Sequence, residues 1–425
     1  MQVHLEYGRG GLDVQLPDRR VLKCLEYQPA DPLADPDAEV RQALCRPIAV
    51  PPLAELAHGR SSACVAICDI TRPVPNRVIL PPILETLETC GISRDRILIL
   101  VATGLHRPST QAELVEMVGR SIAEDYRIEN HDGRQLAAHT RVGHSPRGVP
   151  TWIDSRYVSA ELKITTGLIE PHFMAGFSGG RKLICPGLAA LETIKFWHAP
   201  QFLEHPRARA GCLDDNPVHQ ESTAMARMAR CDFIVNVVLD ARRRILAVAA
   251  GDMEAAFDQG ADFARGPFTD TLPRPVDIVV TTGAGYPLDT TFYQSIKGMV
   301  AALPILKPGG TIILAADMSE GIGSADFCRL YEQNATVDQF INRILHSDYF
   351  VMDQWQLEQF AKVARKARVK VVTGGLPAKT LRCLFVEPAE SVESAVAASL
   401  AEYGPDAEIA VIPKGPYVMA ELGGD

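Results

Sequence analysis

"ACVAICDITRPVPNRVILPPILETLETCGISRDRILILVATG", residues 63–104, carries the fold in one stretch. It opens on an apolar run, "ACVAICD", that stops at Asp69, and closes on a second, "RILILVATG", that stops at a Thr-Gly turn. Between them "PNRVILPPILETLETCG" (75–91) spaces its apolar residues for one face of a helix. A short strand, an amphipathic helix and a second short strand are the repeating unit of a parallel sheet.

The same alternation continues along the chain. "ELKITTG" (161–167), "CDFIVNVVLD" (231–240), "RILAVAAGD" (244–252), "VDIVVTTGAG" (276–285), "GTIILAAD" (310–317), "RVKVVTGG" (368–375) and "EIAVIPKG" (408–415) read as strands, and "VESAVAASLAEYG" (392–404) as a helix between two of them. The expected class is α/β, with two α/β domains built on mainly parallel sheets. A stretch with three prolines and few apolar residues, "ARGPFTDTLPRPVD" (264–277), reads as a linker. It places an N-terminal domain at 1–266 and a C-terminal domain at 267–425. Such sheets bind ligands at the C-terminal ends of their strands. Asp69 to Arg72, Thr103 to His106, His172 to Lys182 and the residues from Gly283 on all follow strands, and are expected to converge on an interdomain cleft.

Composition sets outer bounds. The chain has 425 residues, 47% of them hydrophobic, enough for two or three domains with cores of their own. No apolar run nears the roughly 20 residues of a membrane span, and "MQVHLEYGRGGLDVQLPD" lacks a signal-peptide core. The expectation is a soluble, cytoplasmic protein with no membrane partner. A net charge of −9, with no basic block beyond "DARRRI", speaks against nucleic acid as a partner. Ten cysteines include no CxxC pair, so neither a zinc site nor a disulfide framework is expected. Cys64 and Cys68 fall on one sheet face and read as buried reduced thiols.

One loop stands out: "GLIEPHFMAGFSGGRKLICPG" (167–187). Its "GFSGGRK" segment offers unshielded backbone N–H groups beside Ser178, Arg181 and Lys182, which suits a phosphate. The Walker and Rossmann spacings are both absent. From the residues alone, a tight turn carrying a solvated lysine is an equal reading. In the same way His172 and His198 read as loop or helix-end histidines, Arg72 and Lys297 as surface charges, and Trp355 as core or pocket wall.

"CDITRPVPN" (68–76), "VATGLHRPS" (101–109), "PHFMAGFSGGRK" (171–182), "TIKFWHAP" (193–200), "NVVLD" (236–240), "AGDMEAAF" (250–257), "GYPLD" (285–289), "YQSIKGM" (293–299) and "DQW" (353–355) occur in one order. Together they resemble the nickel-pincer nucleotide-dependent lactate racemase family, nearly end to end. The resemblance implies a racemase or epimerase that inverts C2 of a 2-hydroxy acid. It also implies a cofactor: nickel held by pyridinium-3-thioamide-5-thiocarboxylic acid mononucleotide, covalently attached at the position of Lys182. His198 matches the family's histidine ligand to nickel, and imidazole suits that metal. Asp69, Thr71, Ser178, Gly179, Gly180 and Arg181 are then the candidate contacts to the nucleotide.

His106 and His172 match the family's two catalytic bases, and imidazole takes or gives a proton near neutrality. Arg72 and Lys297 match its cationic substrate contacts, since guanidinium grips a carboxylate by a fork of two hydrogen bonds. Gln294, Tyr293, Met174 and Trp355 complete the expected pocket. The implied reaction moves the C2 hydrogen as hydride, to and fro through a 2-keto acid. The implied partners are a small 2-hydroxy acid and the proteins that make and load the cofactor. Lactate-acting members are expected to carry an aromatic where this chain has Met174, so a larger acid (malate, an aromatic or a sugar acid) stays open. The rival functions are a Schiff-base or nucleotide-dependent enzyme using Lys182, and a non-catalytic relative that only binds a hydroxy acid or nucleotide.

Overall fold

The computed structural model describes residues 1–346 and 349–423. The 63–104 stretch folds as strand Ala63–Cys68, helix Asn76–Thr89 and strand Ile97–Ala102, the strands pairing in parallel from Ala63↔Ile97 to Cys68↔Ala102. The helix buries Ile79, Leu80, Ile83, Leu84 and Leu87, one stripe at three- to four-residue spacing. Both strands are covered on two faces, which is why they are apolar runs rather than alternating ones.

They belong to a six-stranded sheet in the order Ile245–Gly251, Phe233–Leu239, Leu162–Leu168, Ala63–Cys68, Ile97–Ala102, Arg127–Asn130. Every pairing is parallel except that of Ile245–Gly251 with Phe233–Leu239. The chain lays down Ala63–Cys68, moves outward to Arg127–Asn130, then returns to add strands on the opposite side. The strand order therefore reverses between Ala63–Cys68 and Leu162–Leu168. Val65, Ile67, Ile99, Val101, Ile164 and Val235 form the middle of this unit's core. The unit comprises residues 29–202 and 206–267.

The second unit comprises residues 1–28, 203–205 and the chain from Phe268 on. Its sheet is all parallel, in the order Glu387–Pro388, Arg368–Val372, Leu306–Ala315, Val276–Thr282, Ile409–Ile412, Val21–Cys24. Phe292, Ile296, Met299, Ile312, Leu357 and Phe360 lie in its core.

Two boundaries differ from expectation. The first 28 residues, read as part of the N-terminal domain, belong to the C-terminal unit, because Val21–Cys24 adds an edge strand beside Ile409–Ile412. The Pro-rich stretch at 264–277 is no loose linker. Helix Ala255–Phe268 runs into strand Thr269–Leu272, which pairs with Met419–Leu422, and the chain changes unit between Pro267 and Phe268. Among the described residues no helix is long and apolar enough to cross a membrane.

In the second unit helix Phe292–Ala302 crosses the end of strand Val276–Thr282 at close range. A Cβ added at Gly298 would lie 2.0 Å from the Thr282 carbonyl oxygen. Gly298→Ala is thus expected to push away the helix that carries Tyr293, Gln294 and Lys297, at a cost of about 1–3 kcal/mol. Urea unfolding measures this; an unchanged midpoint contradicts the close packing.

Candidate functional site

In a parallel sheet the point where strand order reverses leaves a crevice at the carboxyl ends, because the flanking connections diverge to opposite faces. Here that point lies between Ala63–Cys68 and Leu162–Leu168. The first strand runs straight into Asp69–Arg72 and the second into the loop of His172 and Lys182. Strand Ile97–Ala102, the next neighbour, runs into Thr103–His106. Three of the four post-strand groups read from the sequence thus share one edge of one sheet.

Asp69 is the polar centre of this edge. It is 6% exposed and takes a hydrogen bond from His106 Nδ1 at 2.7 Å on one carboxylate oxygen. The other oxygen accepts from the Thr71 hydroxyl at 2.6 Å and the Thr71 amide at 3.2 Å. Burial works against the charged form, but the bonds from His106 and Thr71 and the charge of Arg72 prevail, and the Asp69 carboxyl is held below its ordinary value. An ionised carboxylate only accepts, so a His106 proton sits on Nδ1, and in the neutral ring Nε2 carries the lone pair. The His106 side chain is about half exposed, so this lone pair is within reach of a ligand. Arg72 donates to the Thr71 carbonyl from Nη1 at 3.2 Å, and its Nε lies 3.6 Å from a Glu170 carboxylate oxygen.

The loop after Leu168 is held from within. His172 Nδ1 accepts the amides of Met174 at 3.2 Å and Ala175 at 3.1 Å, so the neutral ring carries its proton on Nε2. Met174 itself is buried, and its carbonyl accepts from Asn216 Nδ2 at 2.9 Å. Ser178 is buried and its amide donates to the Glu170 carbonyl at 2.8 Å. The Gly180 amide donates to Asn236 Oδ1 at 2.7 Å.

Arg181, expected among the nucleotide contacts, faces the other way. It is 2% exposed and its guanidinium donates to the carbonyls of Gly179, Ala175 and Phe177 at 3.3, 2.8 and 3.1 Å. It also lies 4.2 Å over the Phe257 ring, and burial pushes its pKa down to about 9. Its part is to brace the loop. Lys182, half-buried in the turn Gly180–Leu183, lies close enough to Cys68, Cys185 and His198 for its charge to be felt at each.

His198 ends helix Leu191–Trp197, its ring edge-on to Trp197 at 4.5 Å. Burial, opposed by the bond to Ile194 and reinforced by the charge of Lys182, drives its pKa down to about 3, so the ring is neutral. Nδ1 donates to the Ile194 carbonyl at 3.1 Å, which leaves the lone pair on Nε2. Lys182 and His198 thus share a neighbourhood with Cys68 and the Asp69 edge.

The remaining expected contacts belong to the other unit. Tyr293, Gln294 and Lys297 lie on helix Phe292–Ala302, within four residues and so on one face. The Trp355 indole N–H donates to the Tyr293 hydroxyl at 3.1 Å, and Gln356 Nε2 to the Tyr293 carbonyl at 2.7 Å. Gln294 Oε1 is buried with no hydrogen-bond donor among the described residues.

Glu170, Asn216 and Asn236 escaped the sequence reading. Glu170 carried a signal, being two residues before His172. Asn236 carried a stronger one, as the lone polar residue inside the apolar strand "FIVNVVL". Asn216 had only its helix-capping position before Pro217.

Residues 7–211 match the family described as "Lactate racemase N-terminal domain" and residues 272–420 the one described as "Lactate racemase C-terminal domain". The lactate racemase of Thermoanaerobacterium thermosaccharolyticum is 34% identical over 421 residues, 98% of each chain. That of Lactiplantibacillus plantarum is 35% identical over 428 residues, 99% of each. The solved lactate racemase apoprotein from the first organism superimposes with a TM-score of 0.94, covering 99% of this chain and 100% of that one. A Thermotoga maritima protein at 17% identity, TM-score 0.71, covering 93% of this chain and 100% of its own, shares the fold.

Asp69→Asn keeps the shape at the sheet edge and removes the charge. The neutral His106 ring is then expected to lose its preference for a proton on Nδ1, on the order of 1.5–3 kcal/mol for a charge-assisted bond, as read from its nitrogen-15 shifts. Because the folded-state pKa of Asp69 is lowered, its contribution to stability is complete above the unfolded value, about 3.9, and is lost as the pH falls through the folded one. The stability advantage of the parent over Asp69→Asn should therefore shrink below about pH 3.9. An advantage that grows on acidification in urea unfolding contradicts the assignment.

Proposed function

The chain belongs to the lactate racemase family, and from that premise we propose that it inverts C2 of lactate or a related 2-hydroxy acid with a nickel-pincer nucleotide tethered to Lys182. It is an isomerase of the racemase class. What carries the cofactor reading is the pairing of Lys182 with His198, a buried neutral imidazole whose Nδ1 is committed to Ile194 and whose Nε2 holds a lone pair. Metal ligation requires an unprotonated ring of this kind. Among the described residues no three His, Cys, Asp or Glu side chains are grouped to hold a metal. A metal ligated by His198 therefore brings most of its ligands with it, as one held by a pincer does. The unpaired Gln294 oxygen is a further place for a ligand donor.

In this reading Lys182 forms the covalent tether and His198 ligates nickel through Nε2. Thr71, Ser178, Gly179 and Gly180 lie beside the nucleotide, with the loop braced beneath by Arg181. When bound, the cofactor would supply a hydride acceptor for the C2 hydrogen. The protein's part is to grip, orient and move the hydroxyl proton. Arg72 holds the substrate carboxylate, its Nε side turned to Glu170. Lys297, Gln294, Tyr293 and Trp355 are the other unit's candidate substrate contacts.

The two histidines have complementary settings. His106, with Nδ1–H given to Asp69, accepts the hydroxyl proton at Nε2. His172, with Nδ1 filled by two amides, presents Nε2–H to an oxygen. A proton acceptor and a proton donor at one edge are what interconversion of an alcohol and a ketone requires. The partners in loading are the proteins that make the nucleotide.

Lys182→Ala is expected to fold yet carry no cofactor mass, and His198→Ala to keep the adduct but lose nickel. A full adduct on the Lys182→Ala protein removes the tether. The reaction itself is tested with loaded enzyme on C2-deuterated lactate, malate and larger 2-hydroxy acids in ordinary water. Deuterium should remain in the inverted product, with a primary isotope effect. Wash-out of the label at each inversion would sink hydride transfer and return both histidines to carbanion chemistry.

A further inference from the structure

Strand Phe233–Leu239 is buried along its whole length, and Asn236 is its one polar residue. A lone amide in such a strand is costly unless bonded. Its cross-strand partners are small: Gly167 on the parallel neighbour and Ala249 on the antiparallel one. A Cβ on Gly167 would come 3.4 Å from Asn236 Nδ2, so the amide lies over a strand position that has no side chain. It reaches across to the glycine loop, where Oδ1 accepts the Gly180 amide at 2.7 Å.

That bond fixes the start of the turn Gly180–Leu183, and Lys182 is the second residue after Gly180. The approach is close enough to exclude side chains. Gly179 has φ +89° and its Cβ would fall 2.6 Å from Asn236 Oδ1; Gly180 has φ +51° and its Cβ would fall 3.0 Å from Phe257. The Lys182 amide closes the turn on the Gly179 carbonyl at 3.1 Å. Gly167, Asn236, Gly179 and Gly180 thus depend on one another, and their joint product is the direction in which Lys182 leaves the backbone. We infer that Asn236 is a positioning residue: through the Gly180 amide it sets the direction in which the Lys182 side chain leaves the loop toward the group it would tether. The inference rests on the reading of Lys182 as the tether.

Two variants separate this role from a general one in the core. Asn236→Asp keeps an acceptor in the same place; Asn236→Leu keeps the volume and removes it. Three readings are taken: hydrogen exchange of the Gly180 amide, the rate at which acetyl-N-hydroxysulfosuccinimide labels Lys182 in protein made without the loading machinery, and the fraction of Lys182 carrying the cofactor mass after loading. In Asn236→Leu the Gly180 amide should exchange about tenfold faster, the loss of one buried hydrogen bond. The Lys182 labelling rate should change, and the loaded fraction should fall, with Asn236→Asp staying near the parent in all three. Asn236→Ala, which removes the acceptor without adding bulk, should shift each reading in the same direction, and decides the matter if Asn236→Leu does not fold. Parent-like exchange, labelling and loading in Asn236→Leu, or equal losses in the Leu and Asp variants, overturn the inference. Failure of the tether reading looks different: the parent itself then gains no mass at Lys182, while exchange and labelling still report on Asn236.

Discussion

Parallel strands cannot be joined by a hairpin, so each needs a crossover, and all strands then end on the same edge of the sheet. The first unit depends on this constraint. Ala63–Cys68, Ile97–Ala102 and Leu162–Leu168 are far apart in sequence, yet their parallel registers bring Asp69, Thr103 and Ile169 to one edge. Reversal of strand order between Ala63–Cys68 and Leu162–Leu168 leaves that edge open where the two loops of interest emerge. The chemistry is thus placed by backbone pairing before any polar side chain is considered.

Placement is followed by rigidity. A glycine-rich loop loses much conformational entropy on ordering, and this one is ordered by buried polar side chains rather than by apolar packing. Arg181 bonds three of its carbonyls, Asn216 a fourth, and Asn236 one amide. Burying a guanidinium is costly, and the depressed pKa of Arg181 records that cost. The carbonyl bonds and the face of Phe257 offset it. The result is a loop whose amides and lysine hold one geometry in the absence of any ligand, which lowers the entropic cost of binding one.

Most of the fold was legible because buried parallel strands advertise themselves. "ACVAICD" and "RILILVATG" are continuous apolar runs, and no other element produces such runs at this length and spacing. The N-terminal segment was misassigned because pairing, not sequence adjacency, decides unit membership: nothing in "VLKC" announces Ile409–Ile412 as its neighbour. The bracing by Arg181 was hidden for a related reason. Beside a lysine in a glycine loop it looks like an anion contact, and its direction is fixed by carbonyls that face inward only once the loop has closed. His106 and Asp69, 37 residues apart, could be named separately, but their bond depends on two strands ending side by side. Asn236 was visible as a polar residue in an apolar strand; its target, Gly180, was not.

The same logic bears on which acid the pocket takes. Met174 departs from the aromatic expected of lactate-acting relatives, which on sequence alone argues for a larger substrate. In the folded chain its amide binds His172, its carbonyl binds Asn216, and its side chain is buried. Its backbone therefore has a fixed duty in setting the His172 ring, independent of side-chain type. A methionine fills such a place because it adapts to irregular space. Phe173, by contrast, stacks on the His172 ring with centroids 4.9 Å apart, so the aromatic contact to that ring comes from 173 and not from 174. Packing thus accommodates a methionine at 174 without selecting between lactate and a larger acid.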